Sequence, residues 1–136
     1  MITGRCECGA VAYEIDGEIN DFSHCHCSQC RRLHGAAFGS YGGVKRSAFR
    51  WTSGDRNLRV YASSEKNDRV FCDTCGSLLL TVTAPEPDDF YVAMGTMDGD
   101  PPRPPGYHIF VGSKADWYEI SDDLPQFDTF SDDYEA

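Results

Sequence analysis

The sequence predicts an all-β domain of packed antiparallel sheets. Many of its short segments are rich in β-branched and aromatic residues, and Gly, Pro, Asn and Asp separate them. In AVAYEI, residues 10–15, the apolar Val11, Tyr13 and Ile15 alternate with other residues, as on one face of a strand. No repeat and no long helical periodicity competes with this pattern. The chain is therefore expected to form many short strands joined by turns.

The remaining elements follow from the same signals. Further strands are predicted at 37–44, 58–63, 68–72, 77–83, 89–95, 107–111 and 116–120. The best helical candidate is residues 28–35, with Ser28 as its cap and Gly35 as its stop. Residues 98–106, DGDPPRPPG, are predicted to form a surface loop, because proline lacks the amide donor that a central strand needs. The acidic tail from about residue 128 is expected to fray.

Length and charge limit the classes of function. The 136 residues predict a single domain, 1–136, with a formal net charge of −10. Nucleic-acid binding draws most of its affinity from basic groups, so no nucleic-acid partner is expected, although Arg31, Arg32, Lys45 and Arg46 could form a local basic patch. No apolar run approaches the ~18 residues of a spanning helix, and no signal peptide is recognised. We expect a cytoplasmic protein with no membrane partner, and its oligomeric state is not predicted.

Seven cysteines form three tight groups, Cys6/Cys8, Cys25/Cys27/Cys30 and Cys72/Cys75. Close-spaced thiols in a reducing compartment predict metal ligands rather than disulfides. CDTCG at 72–76 is a CxxC knuckle followed by glycine, and CECG at 6–9 is a tighter version of it. The two pairs together predict one structural zinc site that joins distant parts of the chain.

The middle group, Cys25, Cys27 and Cys30, then forms a second site whose fourth position is either open or closed. Three protein ligands and an exchangeable position describe a catalytic zinc. The closed alternative takes its fourth ligand from the histidines His24, His26, His34 and His108, of which His26 is disfavoured because it points away from its cysteine neighbours on an extended segment. A third grouping joins Cys6 and Cys8 to Cys25 and Cys27 and leaves Cys30 without a metal site. The residues alone leave these alternatives open.

Five segments, GRCECGAVAYEI, CHCSQCRRLHGAAF, RVFCDTCGSLL, MGTMDG and YHIFVGSKADWYEI, together resemble the glutathione-dependent formaldehyde-activating enzyme (GFA) family. The likeness runs from about Gly4 to Phe127. It implies a β-tent fold, in which two β-sheets meet at a ridge. It also implies a structural zinc and a second, open zinc, with the ligand sets Cys6, Cys8, Cys72, Cys75 and Cys25, Cys27, Cys30. The implied activity joins formaldehyde to the thiol of glutathione, a carbon–sulfur lyase reaction, and related small thiols or aldehydes are further candidate substrates.

Arg31 and Arg32 directly follow the middle cysteine group and are candidates for contacts with a substrate carboxylate, such as those of glutathione. The alternative is that they pair with some of the 22 acidic residues. The rival to an enzyme is a non-catalytic zinc module that binds a protein partner. Closed coordination beside a flat apolar patch would favour the module, whereas an open zinc in a concave pocket would favour the enzyme.

Overall fold

The computed structural model of the chain describes residues 1–132 and contains two β-sheets. The elements are β1 Ile2–Arg5, β2 Ala12–Ile15, β3 Asp21–Cys25, α1 Ser28–His34, β4 Gly39–Lys45, β5 Phe49–Ser53, β6 Leu58–Ala62, β7 Asn67–Cys72, β8 Leu78–Thr83, β9 Glu86–Ala93 and β10 Tyr107–Ile109. The small sheet has the order β1-β2-β5, and the large sheet has the order β10-β3-β4-β9-β8-β7-β6. The named strands pair antiparallel, except for β10, which is parallel to β3. The prediction of an all-β fold with two sheets is confirmed.

The main core joins the two sheets. Tyr13 and Ile15 of β2 are buried in the same apolar cluster as Leu80 of β8. The ring of Phe49 in β5 packs edge-on against the ring of Phe90 in β9, with ring centres 5.3 Å apart. Because each fully buried large apolar side chain contributes roughly 1.5–3 kcal/mol, these contacts hold the small sheet against the large one.

Helix α1 is confirmed, but its cap is Cys27 rather than Ser28. The Cys27 Sγ accepts a hydrogen bond from the backbone N–H of Cys30 at 3.2 Å, and Ser28 is the first helical residue. Gly35 ends the helix as predicted, in a left-handed conformation with φ of 58°. The helix therefore begins on a cysteine sulfur, which brings Cys27 and Cys30 into one turn.

The strand predicted at 116–120 is wrong, and the strands β1, β3 and β5 were not predicted. Around residue 117 the chain forms a turn instead of a strand. The Lys114 ammonium donates hydrogen bonds to the carbonyls of Ala115 and Tyr118, at 3.0 and 2.5 Å, and closes this segment on itself. Trp117, whose aromatic ring favoured a strand, is 74% exposed. Aromatic residues favour strands only where a neighbouring strand is available to pair.

The segment after β10 folds back along it. The backbone N–H of His108 donates to the carbonyl of Pro125 at 2.9 Å, and that of Phe110 donates to the carbonyl of Thr129 at 2.9 Å. The fraying expected from about residue 128 therefore does not begin there, and tail residues 133–136 lie outside the described residues. Residues 98–106 contain neither helix nor strand, as predicted.

The helices of the structure bear on membrane insertion. None of the helices formed by residues 1–132 has the length and apolar composition needed to cross a membrane. The cytoplasmic location stays a prediction.

Candidate metal centres

The two cysteine knuckles come together in space. The Sγ atoms of Cys6, Cys8, Cys72 and Cys75, here called the quartet, lie within 4.8 Å of one another. The Cys6 and Cys8 sulfurs are 3.6 Å apart, and those of Cys8 and Cys72 are 3.9 Å apart. Four sulfurs placed tetrahedrally around zinc at about 2.3 Å are about 3.8 Å from each other, so the quartet fits a closed four-thiolate site. The alternative that groups Cys6 and Cys8 with the middle cysteines is wrong.

Both knuckles depend on a glycine with positive φ. Gly9 and Gly76 each have φ of 80°, a conformation that glycine adopts without the steric cost other residues incur. In the second knuckle, the Ser77 hydroxyl lies 3.2 Å from the Cys75 Sγ, and this hydrogen bond lowers the pKa of that thiol to about 5. The local backbone thus favours the thiolate form that a metal ligand requires.

Cys25, Cys27 and Cys30, here called the trio, form a second cluster where β3 ends and α1 begins. Their Sγ atoms also lie within 4.8 Å of one another. Hydrogen bonds from the other two thiols lower the pKa of Cys27 to about 2, whereas hydrogen bonding with Cys27 and Cys30 raises the pKa of Cys25 far above its usual range. The cluster alone therefore holds one thiolate readily and resists a second. A divalent cation such as zinc would balance the charge of all three, and the donor set suits it.

No histidine joins the trio among residues 1–132. The Nε2 of His34 lies 2.6 Å from the Tyr41 hydroxyl, and the Nδ1 of His24 lies 2.7 Å from a serine hydroxyl of β4. The Nε2 of His26 lies 2.8 Å from the Nδ1 of His108. The four predicted candidates for a fourth ligand thus each have another hydrogen-bond partner, and for His34 that partner is Tyr41, which packs beside the trio.

The His26–His108 pair belongs to a buried chain that ends at a carboxylate. The His108 Nε2 lies 2.9 Å from the Asp122 Oδ2, and this hydrogen bond lowers the pKa of Asp122. Burial lowers the pKa of His26 to about 4, so its ring is neutral near pH 7. These hydrogen bonds join His26, the residue after β3, through His108 of β10 to Asp122 in the segment that follows β10.

A cavity of about 360 Å³ lies against the trio. All three cysteines are part of its wall, together with Tyr41, Arg69, Tyr91, Ile109, Phe110 and Phe130. A volume of this size suits a small molecule. The trio is therefore accessible to a ligand from one side.

Phe110 in the cavity wall has a strained backbone. It is the one non-glycine residue with positive φ, 55°, in the part of the chain that the structure describes. The left-handed conformation costs such a residue about 1–2 kcal/mol. The ring of Phe110 meets that of Phe130 edge-on, with centres 4.9 Å apart. Strain of this kind concentrates at functional sites.

Arg69 is a charged cavity residue that the sequence did not predict. It lies in the middle of β7 and is 5% exposed. Its guanidinium donates four hydrogen bonds of 2.9–3.2 Å, whose acceptors are side-chain oxygens of Ser63, Tyr41, Thr81 and Gln29. A single arginine in a short strand usually indicates a solvent-exposed position, so only the folded structure places it here.

Arg31 and Arg32, the predicted contacts for a substrate carboxylate, are not among the residues that line the cavity. Both lie in the last turn of α1. Arg32 is exposed, and the Arg31 Nε is buried without a hydrogen-bond partner. Their role in substrate binding stays a prediction, and the arginine that lines the cavity is Arg69.

Comparison with known proteins agrees with this geometry. The family model described as glutathione-dependent formaldehyde-activating enzyme matches residues 1–113. The chain belongs to this family. An uncharacterized lyase of Schizosaccharomyces pombe is 23% identical over 124 residues, which are 91% of this chain and 88% of the relative. A crystal structure of a Rhodobacter sphaeroides protein is 28% identical to this GFA-family chain, with a TM-score of 0.62 over 74% of this chain and 91% of the other.

Family membership and the lyase name of the yeast relative support a lyase-type enzyme. The quartet and the trio are two clusters that could hold zinc ions, in agreement with the family.

Proposed function

We propose that this GFA-family protein is a zinc-dependent carbon–sulfur lyase that joins a small aldehyde to a thiol at the trio. Formaldehyde and glutathione, which give the family its name, are the first substrates to test. One observation carries the proposal: three sulfurs with no fourth side-chain ligand among residues 1–132 form part of a cavity wall. The quartet has four ligands already and is assigned a structural role.

The reaction needs a bound thiol and a nearby carbonyl. Zinc held by Cys25, Cys27 and Cys30 would supply a position at which a thiol binds and loses its proton. The cavity brings the two reactants together beside the trio. The sulfur then forms a bond to the carbonyl carbon, the π electron pair moves to the oxygen, and that oxygen takes the proton. No external oxidant or reductant is needed.

The cavity supports an enzyme over the alternative of a non-catalytic zinc module. A module that docks a protein partner is expected to present a flat apolar patch beside a closed metal site. Here the under-coordinated cluster faces a concave space of about 360 Å³, which is within the range of small-molecule sites.

Exchange of formaldehyde with glutathione, followed by NMR, tests the proposal. We expect exchange to be faster with the zinc-loaded protein than without protein, and Cys27→Ser to remove the acceleration. Arg50→Gln is a matched control, because Arg50 forms an exposed ion pair with Glu14 in the small sheet, away from the cavity. Equal exchange rates in all samples would contradict the proposed activity and leave the two cysteine clusters as metal sites.

A further inference from the structure

We infer that Arg69 binds the single oxygen of the aldehyde, and of the hydroxyl group that this oxygen becomes, while the thiol adds. The inference rests on the proposed function, because it assigns the oxygen side of the same reaction. It comes from the charge, the burial and the hydrogen bonds of Arg69.

Arg69 carries a positive charge that pairs with no carboxylate in the described part of the chain, and the acidic group it interacts with is the Cys30 thiol of the trio. Within residues 1–132, no carboxylate oxygen lies within 4.0 Å of its nitrogens, although the chain has 22 acidic and 12 basic residues. Its four acceptors are neutral oxygens. A buried guanidinium that is not paired with a carboxylate attracts negative charge, so an oxygen that gains negative charge next to Arg69 would be stabilised.

The hydrogen bonds of Arg69 select a single oxygen rather than a carboxylate. A guanidinium has five N–H donors. The Nε donor and both Nη1 donors are committed, and one of the two Nη2 donors goes to Gln29. One N–H of Nη2 is left. A carboxylate is bound best by two parallel N–H groups, which Arg69 cannot offer, whereas one N–H is enough for an aldehyde oxygen.

The guanidinium is fixed before any substrate enters. Its four partners come from different parts of the fold: α1, β4, β8 and the residue after β6. Gln29 is itself held, since its Nε2 donates to the carbonyl of Ser63 at 3.0 Å. Gln29 and Cys30 are neighbours in α1, so the same helix turn positions both Arg69 and the trio. A donor that needs no reorganisation stabilises a developing charge most effectively.

During the addition, the oxygen gains charge as the carbon–sulfur bond forms. The remaining N–H of Arg69 donates to this oxygen, which then takes the proton released by the thiol. Loss of one donor of this kind lowers kcat by about 10²- to 10³-fold, whereas the KM for the thiol should not change, because the sulfur does not depend on Arg69.

Thiol binding tests the inference without catalysis. We would measure, by calorimetry, the affinities of the zinc-loaded protein for 2-mercaptoethanol and propane-1-thiol, which have the same length and differ by a hydroxyl in place of a methyl group. A higher affinity for 2-mercaptoethanol than for propane-1-thiol indicates that the protein donates a hydrogen bond to the hydroxyl oxygen of the bound thiol. We expect Arg69→Met to lower the ratio of the two affinities by about tenfold, since one charge-assisted hydrogen bond is lost.

Arg69→Lys separates the donor from the charge. Lysine keeps the positive charge, but its three N–H groups are fewer than the four acceptors that Arg69 serves, so none is spare. We expect the lysine variant to lose the hydroxyl preference while it keeps the fold and the zinc, both of which are measured. If Arg69→Met does not fold, the lysine variant still tests the inference. The control variant Arg50→Gln should retain the wild-type ratio of the two affinities.

The outcomes separate the two proposals. If the wild-type protein binds neither thiol, the proposed function is wrong and this inference falls with it. If both thiols bind and the ratio is unchanged in the Arg69 variants, only this inference is wrong. If Arg69→Lys keeps the wild-type ratio and Arg69→Met does not, the hydroxyl preference comes from the positive charge rather than from the remaining N–H group, and this inference is also wrong.

Discussion

The quartet should contribute more to stability than the trio, although each is a cluster of cysteines around one site. Cys8 and Cys72 are 64 residues apart, so a metal ion shared by them closes a long loop and joins the end of β1 to the end of β7. Cys25 and Cys30 are only five positions apart, within one local segment. The test is a pair of double variants, Cys72→Ser with Cys75→Ser, and Cys25→Ser with Cys30→Ser.

The magnitude follows from loop closure. Treated as a cross-link, the 64-residue loop restricts the unfolded chain by about 4 kcal/mol, and a five-residue loop by about half of that. Small domains are stable by about 5–15 kcal/mol, so the quartet accounts for a large share. For a chain of 136 residues, about 4 kcal/mol corresponds to a Tm decrease of about 14 °C.

Thermal unfolding followed by circular dichroism, with zinc content measured on the same samples, gives the result. Each double variant should lose one zinc per chain, but the variant without Cys72 and Cys75 should unfold at the lower temperature. Cys25 and Cys30 are both buried, whereas Cys75 is exposed. Replacing the two buried cysteines by serine therefore adds a burial cost to the trio variant, so a lower Tm of the quartet variant cannot be explained by this cost. Equal decreases in Tm, or a larger decrease in the trio variant, would refute the assignment of the structural role to the quartet.

Three further predictions concern positions outside the clusters. Gly54→Ala should destabilise the protein by at least about 2 kcal/mol more than Gly99→Ala, measured by urea unfolding. Both glycines have positive φ, so the backbone cost is shared. At Gly54 the new Cβ would overlap a backbone carbonyl oxygen, whereas the space around Gly99 is open. Arg31→Gln combined with Arg32→Gln should leave thiol affinity within about twofold, because neither residue lines the cavity; a large loss would restore the sequence-based prediction. Tyr41→Phe removes one acceptor that holds Arg69, so kcat should fall about tenfold with an unchanged KM for the thiol, and an equal rise in KM would instead indicate a role in thiol binding.

The sequence predicts the metal clusters better than it predicts the cavity. The cysteine turns depend on residues that are close in sequence, whereas the cavity depends on contacts between residues that are far apart in sequence. A knuckle such as CDTCG is encoded within five residues: the cysteine spacing and the trailing glycine specify the turn locally. The sequence alone does not decide whether Cys6 and Cys8 share a site with Cys72 and Cys75, and the folded structure brings these four sulfurs together. The absence of a fourth ligand at the trio, in contrast, depends on where the side chains of four histidines point in the folded protein, and the sequence leaves that open.

The strands that were missed show the same limit. The alternation of Tyr13 and Ile15 identifies β2, because one of its faces is buried and the other is not. In β3, Phe22, Ser23 and Cys25 are all buried, so no alternation is visible in the sequence. Arg69 was missed for a related reason. A charged side chain in a strand indicates solvent exposure unless neutral oxygens from other elements surround it, and those oxygens become neighbours only in the folded protein.

Strand β7 carries both a ligand of the quartet, Cys72, and the cavity residue Arg69. It ends at Cys72 and carries Arg69 three residues earlier, about 10 Å along the strand. The trio lies on β3 and α1, and β4, β9 and β8 separate β3 from β7 in the sheet. The position of Arg69 relative to the trio depends on its four hydrogen bonds and also on how firmly the end of β7 is held, which is the role assigned to the quartet. The Cys72→Ser, Cys75→Ser variant should then lose aldehyde–thiol turnover well below its own Tm while it retains the zinc at the trio, a combination that loss of global stability alone would not produce.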